Sequence, residues 1–324
     1  MHRVAVVGAT GYAGHELVRL LARHPGAELT LATASKATSA PRRLPALARI
    51  WDDEVRPLDL SDVSQQADVA FLALPEAASA EVAPRLLAAG LRVVDLSGAF
   101  RLRNAGARTR WYPASPALPV GVAYGLTEFE HASIRDARLV SNPGCYPTAA
   151  LLALLPLANA QLIAPTSDVV IDAKSGLSGA GKAPSDRTHF SENHGSVAAY
   201  GAFGHRHTPE MEQALGRLVT FVPHLVPLDR GILSSSYVRL VDGTTSAHVA
   251  NAFERAYASA PFVRLRGSEL PEIKHVVWSN FCDIGWKVDE AHHRAVIVSV
   301  IDNLVKGAAG SALQNFNVMC GLDE

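Results

Sequence analysis

The stretch RVAVVGATGYAG, residues 3–14, stands at the start of the chain and decides the fold. Residues 3–7 form an apolar run without polar alternation, which predicts a strand buried on both faces. Three glycines follow at positions 8, 11 and 14, and leucines at helical spacing in residues 15–24 predict a helix. A strand, a glycine-rich turn and a helix in this order indicate a place where a pyrophosphate can approach the backbone.

The same pattern of strands and helices continues through the first half of the chain. Apolar strands are predicted at residues 28–33, 69–74 and 92–96, and a helix at residues 77–89. Apolar strands that alternate with helices are typical of a parallel sheet covered by helices on both faces. The first half is therefore predicted to be a Rossmann-type α/β domain.

The second half of the chain has a different texture. Strands are predicted at residues 169–172, 218–222, 234–240 and 294–301, with longer connections between them. This pattern favours an α+β domain built on a largely antiparallel sheet. We expect one domain to comprise residues 1–144, joined by a C-terminal helix at 306–324, and the other to comprise residues 145–305.

Composition excludes several classes of partner. The 324 residues carry a formal net charge of −1 and 48% of them are hydrophobic, so we expect a sizeable core and no strong electrostatic field. These features disfavour nucleic acid and membrane as partners and favour a small molecule. The three cysteines, Cys145, Cys282 and Cys320, have neither disulfide-framework nor zinc-site spacing. We expect a cytoplasmic location and no metal site.

The glycine-rich turn also bears on which dinucleotide binds. Gly8, Gly11 and Gly14, with Thr10, Tyr12 and Ala13 between them, have GxxGxxG spacing, a variant associated with NADP-binding folds. An NAD enzyme usually offers a carboxylate to the ribose hydroxyls at the end of the second strand. TASK, residues 33–36, instead offers Ser35 and Lys36, which favours the 2′-phosphate of NADP.

The strongest chemical signal is SNPGCYPTA, residues 141–149, which leads into an apolar helix. Its Pro-Gly pair favours a turn, and Pro147 suits the first turn of a helix. Cys145 is therefore predicted to lie at a helix N-terminus, where unbonded N–H groups and the helix dipole stabilise a thiolate. Such a thiolate is a nucleophile, whereas the two other cysteines are predicted to be small buried residues.

A base for this cysteine is predicted in GHRHTPEM, residues 204–211. Thr208 has the character of a helix N-cap, with a proline and a glutamate in the first turn. A histidine beside a helix N-terminus is disfavoured as a cation and stays able to accept a proton. His207 is the predicted base, and His205 is the alternative.

Two further loops are candidates for binding an anion. DAKSGLSGAGK, residues 172–182, follows a strand and offers backbone N–H groups and two lysines, and it fits a flexible connector equally well. DLSGAFRL, residues 95–102, follows the carboxyl end of a strand, which is where open α/β sheets bind ligands. Arg101 is therefore a candidate for bidentate recognition of a phosphate.

With these motifs in place, the chain resembles the N-acetyl-gamma-glutamyl-phosphate reductase family, within the aspartate-semialdehyde dehydrogenase superfamily. The resemblance covers nearly the whole chain, and SNPGCYPTA at residues 141–149 is its most specific part. The supporting runs are GATGYAG at 8–14, DAKSGLSGAGK at 172–182, HRHTPE at 205–210, PHLVPLDRG at 223–231, NFCDIG at 280–285 and DNLVKGAAG at 302–310.

The resemblance implies a fold and a reaction. The fold is an NADP-binding domain followed by an α+β domain that also makes the contacts of a homodimer or homotetramer. The reaction, in arginine biosynthesis, is the NADPH-dependent conversion of N-acetyl-5-glutamyl phosphate into N-acetylglutamate 5-semialdehyde and phosphate. It implies a thioester on Cys145 and proton movement by His207.

The resemblance also implies roles for further residues, all but Asn315 within the motifs discussed above. They are Ser178, Gly179 and Asn315 for the cofactor, and Asn142, Ser175, Lys182 and Arg206 for the substrate or phosphate. The side chains that bind the N-acetyl group and the α-carboxylate stay unassigned, with Arg101, Arg187 and Arg206 as candidates.

Four alternatives remain. Aspartate-semialdehyde dehydrogenase would use the same chemistry on a shorter substrate, and a reductase of carrier-protein-linked aminoadipyl phosphate, for lysine synthesis, would share the whole scaffold. A cysteine hydrolase would use Cys145 and His207 but would not need the glycine-rich turn. A non-catalytic NADP sensor would bind the cofactor without turnover.

Overall fold

The computed structural model of the chain describes residues 1–34, 41–115 and 117–324. Ser35 and Lys36 lie outside the described residues. The chain divides into two compact units, the first formed by Met1–Gly144 with Ala308–Glu324 and the second by Cys145–Gly307. Within these described ranges, each unit contains one seven-stranded sheet. No helix in the described part of the chain is long and apolar enough to cross a membrane.

The sheet of the first unit consists of parallel strands. They are β1 (His2–Val7), β2 (Ala27–Thr33), β3 (Val55–Arg56), β4 (Val69–Leu72), β5 (Arg92–Asp95), β6 (Val122–Tyr124) and β7 (Leu139–Ser141). Their order is β3-β2-β1-β4-β5-β7-β6, so the direction of winding reverses between β1 and β4. This is a doubly wound sheet, and the predicted Rossmann-type arrangement is confirmed.

The helices of the described residues are α1 (Tyr12–Leu21), α2 (Leu60–Gln66), α3 (Glu76–Ala88), α4 (Ala105–Trp111), α5 (Thr127–Arg135), α6 (Cys145–Asn159), α7 (Phe190–Asn193), α8 (Thr208–Leu215), α9 (Ser246–Tyr257) and α10 (Gly310–Cys320). Helices α1 to α5 and α10 belong to the first unit, and α6 to α9 belong to the second.

Strand β1 explains why the opening stretch lacks polar alternation. Val4 and Val6 belong to the apolar cluster on one face of the sheet, with residues of α1 and α10. Ala5 and Val7 belong to the cluster on the other face, with residues of α3. Every side chain of a strand covered on both faces must be apolar, as these four are.

The sheet of the second unit is mixed. Its strands are β8 (Val169–Ser175), β9 (Ala198–Ala199), β10 (Val219–Leu225), β11 (Ile232–Arg239), β12 (Val263–Gly267), β13 (Cys282–Asp289) and β14 (Arg294–Ile301). The order is β12-β13-β14-β11-β8-β10-β9, in which β8 pairs with β10 and β12 pairs with β13 in parallel. The remaining neighbours are antiparallel, so the prediction of a largely antiparallel sheet is confirmed.

Helix α6 is the buried helix of the second unit, and it packs against α8, α9 and the sheet. Pro156 lies inside it and has no N–H to donate to the carbonyl of Leu152, four residues earlier. The hydroxyl of Tyr257 in α9 donates to this carbonyl instead. The helix therefore continues through its proline, and the position of its first residue, Cys145, is fixed by packing along its whole length.

Candidate active site

The glycine-rich turn after β1 requires glycine at two of its three positions. Gly8 has φ +96°, and an ideal Cβ there would lie 2.3 Å from the carbonyl oxygen of Ala73. An ideal Cβ at Gly14 would lie 2.1 Å from the carbonyl oxygen of Gly8. No side chain fits at either position, so these two glycines let β1, the turn and α1 pack closely.

Gly11 is different, because packing in the described residues leaves room for a side chain there. Its ideal Cβ would approach no closer than 3.7 Å to a described atom, the carbonyl oxygen of Gly8. Gly11 is the N-cap of α1, and the first turn of that helix holds no acidic residue. A helix N-terminus beside which the described residues leave room fits the pyrophosphate of a dinucleotide, since N–H groups and the helix dipole favour an anion.

Cys145 is the first residue of α6 and is partly exposed. Strand β7 ends at Ser141, and three residues lead from it to the helix. Pro147 is the third residue of the helix, where a backbone N–H needs no partner within the helix. The predicted position of the cysteine at a helix N-terminus is therefore observed.

Both predicted histidines lie beside the residue that follows this cysteine. The ring centroid of Tyr146 is 5.7 Å from that of His205 and 6.1 Å from that of His207. The two histidine rings are 4.8 Å apart. Helix α8 begins at Thr208 with His207 as its N-cap, so the predicted N-cap at Thr208 is wrong by one residue. The structure thus brings the start of α6 and the start of α8 together, and Cys145 directly precedes the tyrosine whose ring packs against both histidines.

His205 is held as a neutral ring. Its Nδ1 accepts a hydrogen bond from the backbone N–H of His207 at 3.1 Å, which places any ring proton on Nε2. The rings of Tyr146, Tyr200 and Phe221 lie around it at centroid distances of 5.3 to 5.7 Å. Burial, and to a lesser degree the positive charge of Arg206, lower the pKa of His205 from 6.5 to about 4.

Sequence reasoning missed two tyrosines at this place. The hydroxyls of Tyr146 and Tyr200 lie 3.2 Å apart, and that of Tyr146 donates to the carbonyl of His224 at 3.1 Å. Burial raises the pKa of both, so the hydroxyls stay protonated. The guanidinium of Arg187 lies 5.6 Å over the ring of Tyr200. The position of Tyr146 next to Cys145 was the only sequence signal that could have found this pair.

Known proteins match both units. Residues 3–137 match the protein-family model described as the NAD binding domain of semialdehyde dehydrogenase. Residues 145–303 match the family model described as its dimerisation domain. An N-acetyl-gamma-glutamyl-phosphate reductase of Syntrophobacter fumaroxidans is 45% identical, covering 100% of this chain and 97% of the relative. The protein of that name from Bacillus subtilis is 42% identical, covering 99% of this chain and 96% of the relative.

This chain belongs to the N-acetyl-gamma-glutamyl-phosphate reductase family. Solved structures of aspartate semialdehyde dehydrogenases share its fold. Enzyme II of Vibrio cholerae aligns with a TM-score of 0.77 over 99% of both chains at 19% identity. The enzyme of Candida albicans with NADP aligns with a TM-score of 0.73 at 14% identity, covering 99% of this chain and 98% of that one. Identities this low show a common fold and nothing more about activity.

The loop after β8 corrects one expectation for this reductase-family chain. Residues Leu177–Ala180 form a 3-10 turn. The N–H groups of Gly176, Leu177 and Ser178 donate to carbonyls of the 228–231 segment, and those of Gly179 and Gly181 donate within the loop. These backbone groups are already bonded, so the prediction that they hold an anion is wrong for them. An anion at this loop would have to bind groups other than these five.

The other predicted residues of this loop serve partly as structural supports. The Ser175 hydroxyl donates to the carbonyl of Gly176 at 2.9 Å. The Ser178 hydroxyl donates to the carbonyl of Asp229 at 2.6 Å. An ideal Cβ at Gly179 would lie 2.9 Å from Ser175 Oγ, so a side chain there would disturb this arrangement. Lys182 and Arg206 are exposed. The binding roles of these residues stay predictions.

In the first unit, three predicted polar residues are buried at the carboxyl ends of β5 and β7. Arg101 donates from Nε to the carbonyl of Asn142 and from Nη2 to that of Leu96, each at 2.8 Å. The Asn315 amide donates to Gly125 O at 2.8 Å and to Asn142 Oδ1 at 2.9 Å. These bonds tie the strand ends to α10, and the predicted roles in binding phosphate or cofactor stay predictions.

The environment of His205 predicts a pH dependence of stability. Between pH 6.5 and about 4, the unfolded chain binds a proton on this histidine and the folded chain does not. The free energy of unfolding should therefore fall as the pH falls through this window, with a slope approaching ~1.4 kcal/mol per pH unit from this group. Urea unfolding between pH 4 and 7 measures the slope, and His205→Asn should flatten it. Equal slopes in the two proteins would contradict the prediction.

Proposed function

We propose that this chain is a cytoplasmic, NADPH-dependent reductase that converts N-acetylglutamyl 5-phosphate into N-acetylglutamate 5-semialdehyde and phosphate, in arginine biosynthesis. The observation that supports the proposal best is that Tyr146, the residue after Cys145 at the start of α6, packs its ring against those of His205 and His207 at the start of α8. A nucleophile at a helix N-terminus beside imidazole groups is typical of enzymes that transfer an acyl group. The names of the relatives reported above support N-acetylglutamyl 5-phosphate as the substrate.

The thiolate of Cys145 attacks the acyl carbon of the substrate. A C–S bond forms, the C–O bond to phosphate breaks, and phosphate leaves with the electron pair of that bond. The product is a thioester on Cys145, which accepts hydride more readily than a carboxylate does. Bound NADPH supplies that hydride. The C–S bond of the resulting thiohemiacetal then breaks, and Cys145 leaves as the thiolate while the aldehyde carbonyl forms.

His207 moves the protons in these steps, and His205 supports it. His205 spends Nδ1 on the backbone N–H of His207, and its pKa of about 4 keeps it neutral near pH 7. A ring that cannot take up a proton at this pH is a poor acid-base catalyst. His207, as N-cap of α8, accepts the thiol proton and gives it to the departing phosphate. Its ring N–H later donates a hydrogen bond to the oxygen that becomes the aldehyde, so that this oxygen carries no proton that must be lost when the carbonyl forms.

In this proposal the first unit holds the pyrophosphate of the cofactor. The turn with Gly8, Thr10, Gly11, Tyr12, Ala13 and Gly14 takes the pyrophosphate at the start of α1. Strand β2 ends at Thr33, and the next residues contribute no carboxylate, which supports NADP over NAD. Ser178, Gly179 and Asn315 remain further candidates for cofactor contact.

Gly11→Ala tests the pyrophosphate site separately from folding. A Cβ here has only ordinary contact with the described atoms, at 3.7 Å, so the melting temperature of the free protein should stay unchanged. The same methyl group would occupy space above the helix N-terminus, so the Kd for NADPH should rise about tenfold, ~1.4 kcal/mol. Fluorescence titration with NADPH measures the Kd. A wild-type Kd in the variant would contradict binding of the pyrophosphate at this turn.

The proposed substrate is tested by turnover in the reverse direction. NADP reduction is followed with N-acetylglutamate 5-semialdehyde, with aspartate semialdehyde and with a carrier-linked aminoadipate semialdehyde, each with phosphate present. We expect turnover with the first substrate alone. Efficient turnover with the carrier-linked compound would move the function to lysine synthesis, and NADP binding without turnover of any substrate would favour a sensor.

The proposal includes a homo-oligomer, a dimer or a tetramer. The dimerisation-domain description of the model that matches residues 145–303 supports it. The other proposed partners are the small-molecule substrate and phosphate. The near-neutral net charge of the chain disfavours nucleic acid and membrane as partners. Light scattering of the purified protein gives the number of copies.

A further inference from the structure

An uncommon turn lies beside the nucleophilic cysteine. Val305–Ala309 forms one turn of π-helix, in which the N–H of Gly307 donates to the carbonyl of Asp302 at 2.9 Å. Bonds of this spacing are rare, and they occur frequently at functional sites. The proposed mechanism makes no use of this turn. The part of the turn up to Gly307 belongs to the same unit as Cys145.

The backbone of Gly307 is pressed against Cys145. An ideal Cβ at Gly307 would lie 2.7 Å from Cys145 Cβ and 3.3 Å from Cys145 Cα. It would also lie 3.3 Å from Ile301 Cδ1. The cysteine atoms concerned are not the end of a flexible side chain, because they belong to the first residue of a buried helix. The position of the π-turn therefore limits where the Cys145 side chain can lie.

Asp302 holds this turn in place. The residue is fully buried. Its Oδ1 accepts hydrogen bonds from the backbone N–H groups of Leu304 at 2.8 Å and Val305 at 3.0 Å. Its Oδ2 accepts from the backbone N–H of Trp278 at 2.7 Å and from Arg230 Nη1 at 3.4 Å. One carboxylate thus ties the start of the turn to two other segments of the unit.

The partners of Asp302 are themselves constrained. Trp278 has φ +69°, in the left-handed region that a non-glycine residue rarely adopts. The guanidinium of Arg230 lies 3.5 Å over its indole ring. Next to Asp302, Asn303 accepts from the N–H of Gly231 at 2.7 Å and donates to Ser178 Oγ at 3.0 Å. The residues directly before the turn are therefore bonded to three other segments of the unit, at Trp278, at Arg230 and Gly231, and at Ser178.

We propose that Asp302 and Gly307 are positioning residues that fix the Cys145 side chain for attack on the acyl carbon. The proposal rests on the proposed function, because it assumes that Cys145 is the nucleophile. Asp302 sets the π-turn, and Gly307, having no side chain, lets the turn lie directly against the cysteine. Covalent catalysis depends on the nucleophile being held in an attacking geometry, so a shift of about 1 Å lowers the rate steeply.

Gly307→Ala is the main test. Gly307 does not have a positive φ, so alanine is compatible with its backbone, and the clash with Cys145 is the main change. We expect kcat to fall about 100-fold while KM for NADPH stays within about twofold. We also expect the pH midpoint for alkylation of Cys145 by iodoacetamide to move upward, because the displaced sulfur loses stabilisation by the helix N-terminus. If Gly307 only stabilised the fold, its replacement would not lower kcat at an unchanged KM, and it would not shift the pH profile of Cys145 alkylation.

Gly106→Ala is the matched control. Gly106 lies in α4 of the first unit and is exposed, and its ideal Cβ meets nothing in the described residues closer than Asn104 Oδ1 at 3.3 Å. This variant should keep the wild-type kcat and alkylation profile. Asp302→Asn is the second test, because it replaces an acceptor oxygen and a charge beside Arg230. It should lower kcat in the same way, and Gly307→Ala decides the matter if Asp302→Asn does not fold.

The two proposals fail in different ways. A Cys145→Ser variant that keeps turnover would overturn the proposed function. If Cys145→Ser is inactive but Gly307→Ala keeps either the wild-type kcat or the wild-type alkylation profile, the positioning proposal alone is overturned. A decrease in kcat together with a shifted profile supports it.

Discussion

Replacing Cys145 with serine should lower kcat by about 10⁴-fold or more. Serine has nearly the same size and keeps the start of α6, so the fold and NADPH binding should be unchanged. Its hydroxyl, however, is far less acidic than a thiol, and a helix N-terminus does not ionise it near pH 7. The loss should therefore appear in kcat, and the Kd for NADPH measured by titration should stay at the wild-type value.

Cys320→Ser is the control for removing a thiol. Cys320 is also partly exposed, but it lies at the end of α10 in the first unit. Burial raises the pKa of its thiol, which disfavours the nucleophilic thiolate. This variant should keep wild-type activity. A Cys145→Ser protein with more than about a tenth of the wild-type kcat would contradict a covalent mechanism.

The second large effect is expected at His207. His207→Asn should lower kcat by about 10²- to 10⁴-fold, because proton transfer by a positioned side chain contributes that much. His205→Asn should lower kcat less, since the neutral ring of His205 supports the N–H of His207 and moves no proton. The asparagine can still accept a hydrogen bond, which makes the two substitutions chemically matched.

The pH profile separates a catalytic from a supporting histidine. In the His205→Asn protein, the acidic limb of kcat against pH should remain, whereas in the His207→Asn protein it should disappear. Equal residual activity in the two variants, with the same profile, would contradict the assignment of His207.

The fold could be predicted from the sequence wherever consecutive residues are all buried and therefore all apolar. Strand β1 shows this, because both of its faces are covered and its apolar run is continuous. Strand β13 was not predicted, since its sequence includes the buried Asp283, which pairs with Arg264 at 2.6 Å. An acidic residue of this kind indicates a loop when its partner, 19 positions away, is not known.

The ends of elements were less predictable than their existence. Helix α1 was expected over residues 15–24 and is observed over Tyr12–Leu21. Gly14 is the reason for the late predicted start, because a glycine indicates a turn in sequence. In the structure Gly14 lies inside the helix, where its lack of a side chain lets the helix pack against Gly8.

The candidate site was predictable where one local motif defines it. Cys145 and both histidines come from short runs that also contain the signals for a helix start. The loop after β8 was not predictable in the same way, because its N–H groups bond to carbonyls about fifty positions later in the chain. Asp302 and Gly307 were missed for the same reason, since their importance lies in contacts with Cys145, Trp278 and Arg230.

The measurement that tests the central claim most directly is trapping of the thioester. The protein is incubated with NADP and N-acetylglutamate 5-semialdehyde in the absence of phosphate, and its intact mass is recorded. We predict one equivalent of NADPH and a mass increase of one N-acetylglutamyl group on Cys145, both absent in Cys145→Ser, with release of the group when phosphate is added. Continuous NADPH formation without phosphate, with no adduct on Cys145, would contradict the account.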